Sequence, residues 1–153
     1  MKTIKISAWI GVLFALAHSL MAEPAPVAPT RSLTIAMPRQ VAVAANFNCV
    51  ISAETNALGA EQIGFLHVEY SEDGGQTWIA LFFGDNVGRS FRRSFPMKSG
   101  LAGRTMAVRV RAAFRGGKAG DVDHAGNSID WDGSWSNWGE GPAKSAVAKI
   151  VAR

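Results

Sequence analysis

The stretch Met106–Phe114, MAVRVRAAF, contains the clearest strand pattern in the chain. Apolar residues alternate with residues of a second set that contains Arg109 and Arg111, and Arg115 continues this second set. The apolar set consists of Met106, Val108, Val110, Ala112 and Phe114. Successive side chains of a strand point to opposite faces of the sheet, so this alternation predicts a strand with one buried face. Its arginines are predicted to lie on the outer face.

Six other segments carry strand patterns, and no long window has the apolar periodicity of a helix. These segments are Ser32–Met37, Val41–Ile51, Gly64–Tyr70, Trp78–Phe83, Ser90–Met97 and Ala146–Val151. Many short strands separated by Gly- and Asn-containing breaks are typical of an antiparallel β-sandwich. We therefore predict an all-β domain of seven antiparallel strands over residues 32–153. The connection 116–142 is long for a compact domain, and such loops are usually functional or mobile.

The first 22 residues have the three-part pattern of a secretory signal peptide. Lys2 and Lys5 precede the apolar run Ile6–Leu16, and a short polar stretch leads to Ala22. An uncleaved membrane anchor is the alternative, but this run is short for a span of about 20 residues. We predict cleavage after Ala22, a Pro/Ala-rich flexible arm over residues 23–31, and export to the periplasm or the cell exterior.

Charge and cysteine content restrict the partners of the exported chain. The full sequence has 16 Lys and Arg against 12 Asp and Glu, and removal of residues 1–22 takes away two of the lysines. This weak positive charge does not predict a nucleic-acid partner, and no membrane insertion is expected after cleavage. Cys49 is the only cysteine, so no internal disulfide can form. A buried, inert thiol is predicted, and pairing with a second chain is the alternative.

The segment Ser71–Trp78, SEDGGQTW, fits the Asp-box pattern Ser-x-Asp-x-Gly-x-Thr-Trp. Asp73 is predicted to accept hydrogen bonds from turn amides, Gly75 to supply a positive φ, and Trp78 to close the base of the hairpin. Sialidases carry several such boxes in much larger chains. A single copy in a short chain therefore predicts a structural hairpin with Ser71, Asp73, Gly75 and Trp78 as its turn residues.

Two stretches resemble known families. Leu101–Ala112, LAGRTMAVRVRA, resembles the corner and sixth strand of fibronectin type III domains, and Trp135–Gly139, WSNWG, resembles the Trp-Ser-x-Trp-Ser box of class I cytokine receptors. The resemblance implies an immunoglobulin/fibronectin type III-like β-sandwich. It also implies a structural ladder in which indoles and guanidinium groups stack by cation–π contacts. The ladder residues would be Trp135, Arg109, Trp138 and Arg111.

Four carboxylates lie close together in the long connection: Asp121, Asp123, Asp130 and Asp132. Oxygen ligands at this density suit Ca²⁺, and the segment partly follows the spacing of a calcium-binding loop. A solvated acidic loop is the alternative. Apart from this candidate Ca²⁺ site, the sequence predicts no cofactor.

No string typical of nucleophilic or metal-dependent catalysis occurs in the chain, so the sequence predicts that it is not an enzyme. The expected function is that of an exported, non-catalytic module for protein contact or adhesion, with the loop 116–142 binding a protein partner. The alternative is a carbohydrate-binding module that contacts a polysaccharide. Its candidate ligand contacts are Trp131, Asn127 and Asp132.

Overall fold

The computed structural model describes residues 30–135 and 137–152. The predicted signal peptide and residues 23–29 of the predicted arm lie outside the described residues and stay predictions. Arg31, which was assigned to the arm, instead begins the first strand, and its guanidinium pairs with the buried carboxylate of Glu61 at 2.6 Å.

The described residues form strands joined by turns and loops, with no helix among them. The strands are β1 (Arg31–Ala36), β2 (Gln40–Ala42), β3 (Asn46–Thr55), β4 (Gly59–Ser71), β5 (Ile79–Gly88), β6 (Ser90–Lys98), β7 (Thr105–Gly117), β8 (Gly120–Asp123) and β9 (Ala143–Val151). The prediction of an all-β chain is confirmed. Since no helix occurs in this part of the chain, none of its segments is a helix long and apolar enough to cross a membrane.

The strands form two sheets. The smaller has the order β1-β3-β6, and the larger has the order β2-β9-β7-β4-β5, with β8 also paired to β7. Strands pair antiparallel except β2 and β9, which are parallel. The structure therefore differs from the seven antiparallel strands predicted. It adds β8 inside the long connection and divides one predicted strand into β2 and β3.

That division occurs at a turn that the sequence does not mark with Gly or Pro. Ala44 has a φ of 56°, and the Ala45 amide donates to the Ala42 carbonyl at 3.2 Å. The Ser99 hydroxyl accepts a second hydrogen bond from Ala45 and donates to Ala42. The turn moves the chain from the larger sheet, which holds β2, to the smaller sheet, which holds β3.

Side chains of both sheets share one hydrophobic cluster. Leu33, Ile51 and Phe95 enter it from the smaller sheet, and Val68 and Val110 enter it from the larger. Removing a Val, Leu, Ile or Phe side chain from water contributes roughly 1.5–3 kcal/mol, so this cluster supplies most of the apolar stabilisation.

The opposite face of the larger sheet carries a second, smaller cluster. Phe65 of β4, Ala113 of β7 and Trp135 of the long connection are its buried members, and Ile129 and Trp131 pack against it. The connection between β8 and β9 therefore lies over the outer face of β4 and β7. This layer contains most of the residues that the sequence singled out.

Candidate functional site

The Asp-box-like hairpin joins β4 to β5 and is held by local hydrogen bonds. The Asp73 carboxylate accepts from the amides of Gln76 and Thr77, both at 2.9 Å, and from the Thr77 hydroxyl at 2.6 Å. The buried Ser71 hydroxyl donates to Asp73 at 2.7 Å and accepts from the Gly75 amide at 2.7 Å. These hydrogen bonds hold the pKa of Asp73 well below its usual range. Gly75 has a φ of 99°, which L side chains rarely adopt.

The indoles and guanidinium groups singled out by the sequence lie together on the outer face. Arg109 lies between two indoles, 3.9 Å from the ring centre of Trp78 and 4.0 Å from that of Trp138. Arg111 lies 4.4 Å from the ring centre of Trp138 and 5.6 Å from that of Trp135. The stack therefore runs Trp78–Arg109–Trp138–Arg111–Trp135. Trp78, predicted only to close the hairpin, is its outermost ring.

Arg111 lies on the outer face of β7, as predicted from the alternation, but it is buried there, with 1% of its surface exposed. Its guanidinium donates to the main-chain carbonyl of Trp135 at 2.8 Å and to that of Asn137. No ion pair joins it to a carboxylate in the described part of the chain. Burial lowers the pKa of Arg111, yet a guanidinium stays charged in proteins. The carbonyls and the ring faces therefore compensate this cation.

His67 and Glu69 of β4, which were not predicted as site residues, belong to the same layer. The His67 ring lies 4.9 Å from that of Trp138, and its Nε2 lies 3.4 Å from Glu69 Oε1. Glu69 in turn accepts two hydrogen bonds from Arg109, at 2.8 and 2.5 Å. Burial lowers the pKa of His67; Glu69 raises it less than burial lowers it, and the two nearby arginines lower it further. The alternation of polar residues along β4 was the signal that could have identified this pair.

The four carboxylates proposed for Ca²⁺ do not converge on one point. Asp123 accepts from the amides of Ala125 and Asn127 at 2.7 and 2.9 Å, so it closes a turn. Asp121 pairs with Arg115 at 3.1 Å. Among the described residues, no three His, Cys, Asp or Glu side chains are grouped so that they could hold a metal ion. The structure therefore does not group the residues of the predicted Ca²⁺ site, Asp121, Asp123, Asp130 and Asp132, and that site stays a prediction.

Asn127, a candidate ligand contact, belongs to the turn that Asp123 closes. The Asn127 side-chain amide donates to Asp123 Oδ2 at 2.9 Å, within the same turn. Burial raises the pKa of Asp123, but the hydrogen bonds from Asn127 and Ala125 lower it by more. Asn127 is thus a turn residue and does not line the pocket described next.

A pocket of about 380 Å³ opens within the long connection. It is lined by Asp130, Trp131, Asp132, Ser134, Trp135 and Glu140. Two of the three candidate ligand contacts, Trp131 and Asp132, therefore line one pocket. Asp130, which the sequence assigned to the Ca²⁺ site, and Glu140, which was not selected, line the same pocket. Among the described residues, no Lys or Arg forms an ion pair with Asp130 or Asp132.

The indoles of this pocket are held in place by a hydrogen bond and by contacts with neighbouring rings. Trp131 donates its indole N–H to Asp121 at 2.7 Å, and its ring lies 4.7 Å from that of Trp135 and 5.7 Å from that of Phe65. Trp131 is half-buried, so part of its surface stays accessible. Packing and the hydrogen bond fix its orientation, and a fixed aromatic wall costs little entropy when a ligand binds.

Comparison with known proteins gives few matches. No protein-family model matches the chain, and no curated protein matches it. Among solved structures, a superoxide reductase (neelaredoxin) from Ignicoccus hospitalis is similar, with a TM-score of 0.46 and 13% identity. The alignment covers 82% of this chain and 84% of that one. At this TM-score and identity, the match transfers neither a fold nor a reaction to the chain.

The same finding corrects the functional predictions. The similar protein is named as an enzyme, and the predictions of a non-catalytic protein-contact or adhesion module, of a carbohydrate-binding alternative and of no enzymatic activity are wrong against it. The prediction of no cofactor, or of Ca²⁺ alone, stands against the same finding. That cofactor prediction is therefore wrong as well.

Proposed function

We propose that this chain acts by taking a small organic cation, such as a quaternary ammonium compound, into the pocket of the β8–β9 connection. The observation that carries the proposal is the meeting of three carboxylates with two indoles around about 380 Å³. This volume falls within the range of about 300–1,000 Å³ that is usual for small-molecule sites.

Charge favours a cation over a neutral or anionic molecule. Asp130, Asp132 and Glu140 contribute negative charge to the lining of a concave site, and such sites concentrate ions of the opposite sign. The chain as a whole is positively charged, with 16 Lys and Arg against 12 Asp and Glu. The lining of the pocket itself includes three carboxylates and no Lys or Arg.

The aromatic walls favour an organic cation over a compact metal ion. An ammonium group over an indole face gains about 0.5–2 kcal/mol, and quaternary ammonium compounds are recognised in this way by aromatic cages. A diffuse cation needs neither the close oxygen ligands nor the fixed geometry that Ca²⁺ requires. This agrees with carboxylates that line one pocket without converging on one point.

We propose that the two sheets form an immunoglobulin/fibronectin type III-like β-sandwich, which is the finer fold. In that architecture, strands A, B and E share one sheet, and strands C, F and G share the other. The orders β1-β3-β6 and β9-β7-β4 support the assignment of these strands as A-B-E and G-F-C. The pocket then lies in the F–G connection, over the outer face of strands C and F.

Calorimetric titration with choline, and with its uncharged isostere in which carbon replaces nitrogen, tests the proposed function. We expect saturable binding of choline and at least about fivefold weaker binding of the isostere, since the cation–π contribution is ~1 kcal/mol. Asp132→Asn should weaken choline binding. Glu54→Gln, an exposed carboxylate of β3 in the other sheet, should leave it unchanged. Equal binding of the two compounds, or no binding of choline, would overturn the proposal.

A further inference from the structure

A second pocket is lined by residues from strands of both sheets and includes no residue of the β8–β9 connection. It has a volume of about 500 Å³ and is lined by Ile35, Met37, Arg39, Gln40, Ala146, Val147 and Lys149. These residues come from β1, from the connection that follows it, and from β2 and β9. We call this pocket the β1–β9 groove.

The groove has an apolar part and a cationic part. Ile35 and Met37 are half-buried and pack against the main hydrophobic cluster, so they form an apolar wall. Val147 of β9 is apolar and yet 55% exposed. An exposed apolar side chain beside an apolar groove leaves surface that a ligand could remove from water.

Two of the lining residues of the groove are cationic, Arg39 and Lys149. The Lys149 amide donates to the Arg39 carbonyl at 2.9 Å, so the two residues are held together through the main chain. In the described part of the chain, neither side chain forms an ion pair. The lining includes no carboxylate. Two adjacent, unneutralised cations at one part of an apolar groove are complementary to a single anionic head group.

We propose that the β1–β9 groove binds a single-chain anionic amphiphile, of the class of long-chain carboxylates. The carboxylate would lie against Arg39 and Lys149, and a guanidinium offers it a bidentate pair of hydrogen bonds. The alkyl chain would lie along Ile35, Met37 and Val147. This site is separate in residues, charge and ligand class from the organic-cation pocket, and it does not depend on the proposed function.

Titration of the full chain with octanoate, decanoate and dodecanoate, each below its critical micelle concentration, tests this proposal. Each added methylene that is buried contributes about 0.8 kcal/mol, so the affinity should rise by up to about fourfold per methylene. Dodecyltrimethylammonium, with the same tail and the opposite charge, should bind at least about fivefold more weakly. Equal affinity of the two twelve-carbon amphiphiles would overturn the assignment of Arg39 and Lys149 as the residues that bind the carboxylate.

Exposed positions provide variants that keep the fold. Arg39 and Lys149 are exposed, so the double variant Arg39→Gln/Lys149→Gln should fold normally and bind dodecanoate at least about fivefold more weakly. Lys118→Gln, an exposed cation of the β7–β8 turn, is the matched control and should bind as the original chain does. Asp132→Asn should also leave dodecanoate binding unchanged, which separates this site from the organic-cation pocket. Undiminished binding by the double variant would contradict the proposal.

Discussion

The guanidinium of Arg111, on β7, donates a 2.8 Å hydrogen bond to the main-chain carbonyl of Trp135, 24 residues further along the chain. A second bond reaches the carbonyl of Asn137, and the Trp138 ring covers the same guanidinium at 4.4 Å. One buried side chain thus fixes the segment that carries the pocket. The loop 116–142 is long, but this end of it is attached to the sheet.

Replacement of Arg111 should therefore destabilise the chain strongly. Arg111→Met keeps much of the apolar volume but leaves the buried carbonyl of Trp135 and that of Asn137 without this donor, and we expect a loss of about 3 kcal/mol in the free energy of unfolding. Arg111→Lys should lose less, because an ammonium keeps the charge but lacks the planar fork. Urea denaturation followed by tryptophan emission measures both.

The matched control for Arg111 is an exposed arginine. Arg92 of β6 is exposed and donates a hydrogen bond to the hydroxyl of Ser52 at 3.1 Å, so Arg92→Gln should change stability by no more than about 0.5 kcal/mol. A loss for Arg111→Met as small as that for Arg92→Gln would show that the buried bonds do not hold the loop.

The Asp73 hairpin should make stability sensitive to acid. Because its pKa is lower in the folded chain than the value of about 3.9 expected when unfolded, Asp73 stabilises the fold above that value. This contribution is lost as the pH falls from there toward the folded pKa. Unfolding midpoints measured across acid pH should show a shallower loss in Asp73→Asn than in the original chain. The neighbouring variant Glu72→Gln should retain the original slope, and a retained slope in Asp73→Asn would contradict this role.

His67 should titrate below an ordinary histidine. Burial lowers the pKa of His67 by more than Glu69 raises it, and Arg111 and Arg109 lower it further. A folded pKa below the unfolded value of about 6.5 means that the fold is favoured above that pH and loses stability as the pH falls through the lower folded pKa. His124 shifts in the same direction, also mainly through burial. Imidazole resonances followed by NMR, with His67→Gln and His124→Gln for assignment, give both values. A His67 pKa above 6.5 would contradict the packing described for Trp138.

Cys49 should be inert in the folded chain. The side chain is fully buried in the main cluster, and burial raises the pKa of its thiol to about 11. A thiol of this kind has little thiolate to react and no access for a second thiol. Ellman's reagent at mildly alkaline pH should therefore react only after urea is added. Rapid reaction of the native chain, or a disulfide-linked dimer, would show that β3 opens.

Residue patterns were sufficient to predict the fold class but not which strands share a sheet. The alternation along Met106–Phe114 marks β7 because one face of that strand is apolar and the other carries arginines. The same kind of alternation predicts one strand over Val41–Ile51, because the turn at Ala44 contains no Gly or Pro that would mark it. Strand β8 is four residues long and lies within an acidic loop, so its pattern is too short to detect.

The residues of the ladder could be predicted from the sequence, whereas only some of the pocket residues could. The ladder of Trp135, Trp138, Arg109 and Arg111 is implied by the resemblance of WSNWG to the Trp-Ser-x-Trp-Ser box of class I cytokine receptors. Nothing in the local sequence shows that Arg111 is buried, since its burial comes from a segment far along the chain. The pocket likewise needs Glu140 beside Asp130, and only the folded loop brings them together.

The measurement that tests the proposed function most directly is a two-dimensional NMR spectrum of the indole N–H groups, recorded while choline is added. Trp131 and Trp135 line the pocket, whereas Trp78 lies at the far end of the stack beside the hairpin. The account predicts saturable shifts for the Trp131 and Trp135 resonances and an unchanged Trp78 resonance. Unmoved Trp131 and Trp135 resonances, or equal shifts with the uncharged isostere, would contradict it.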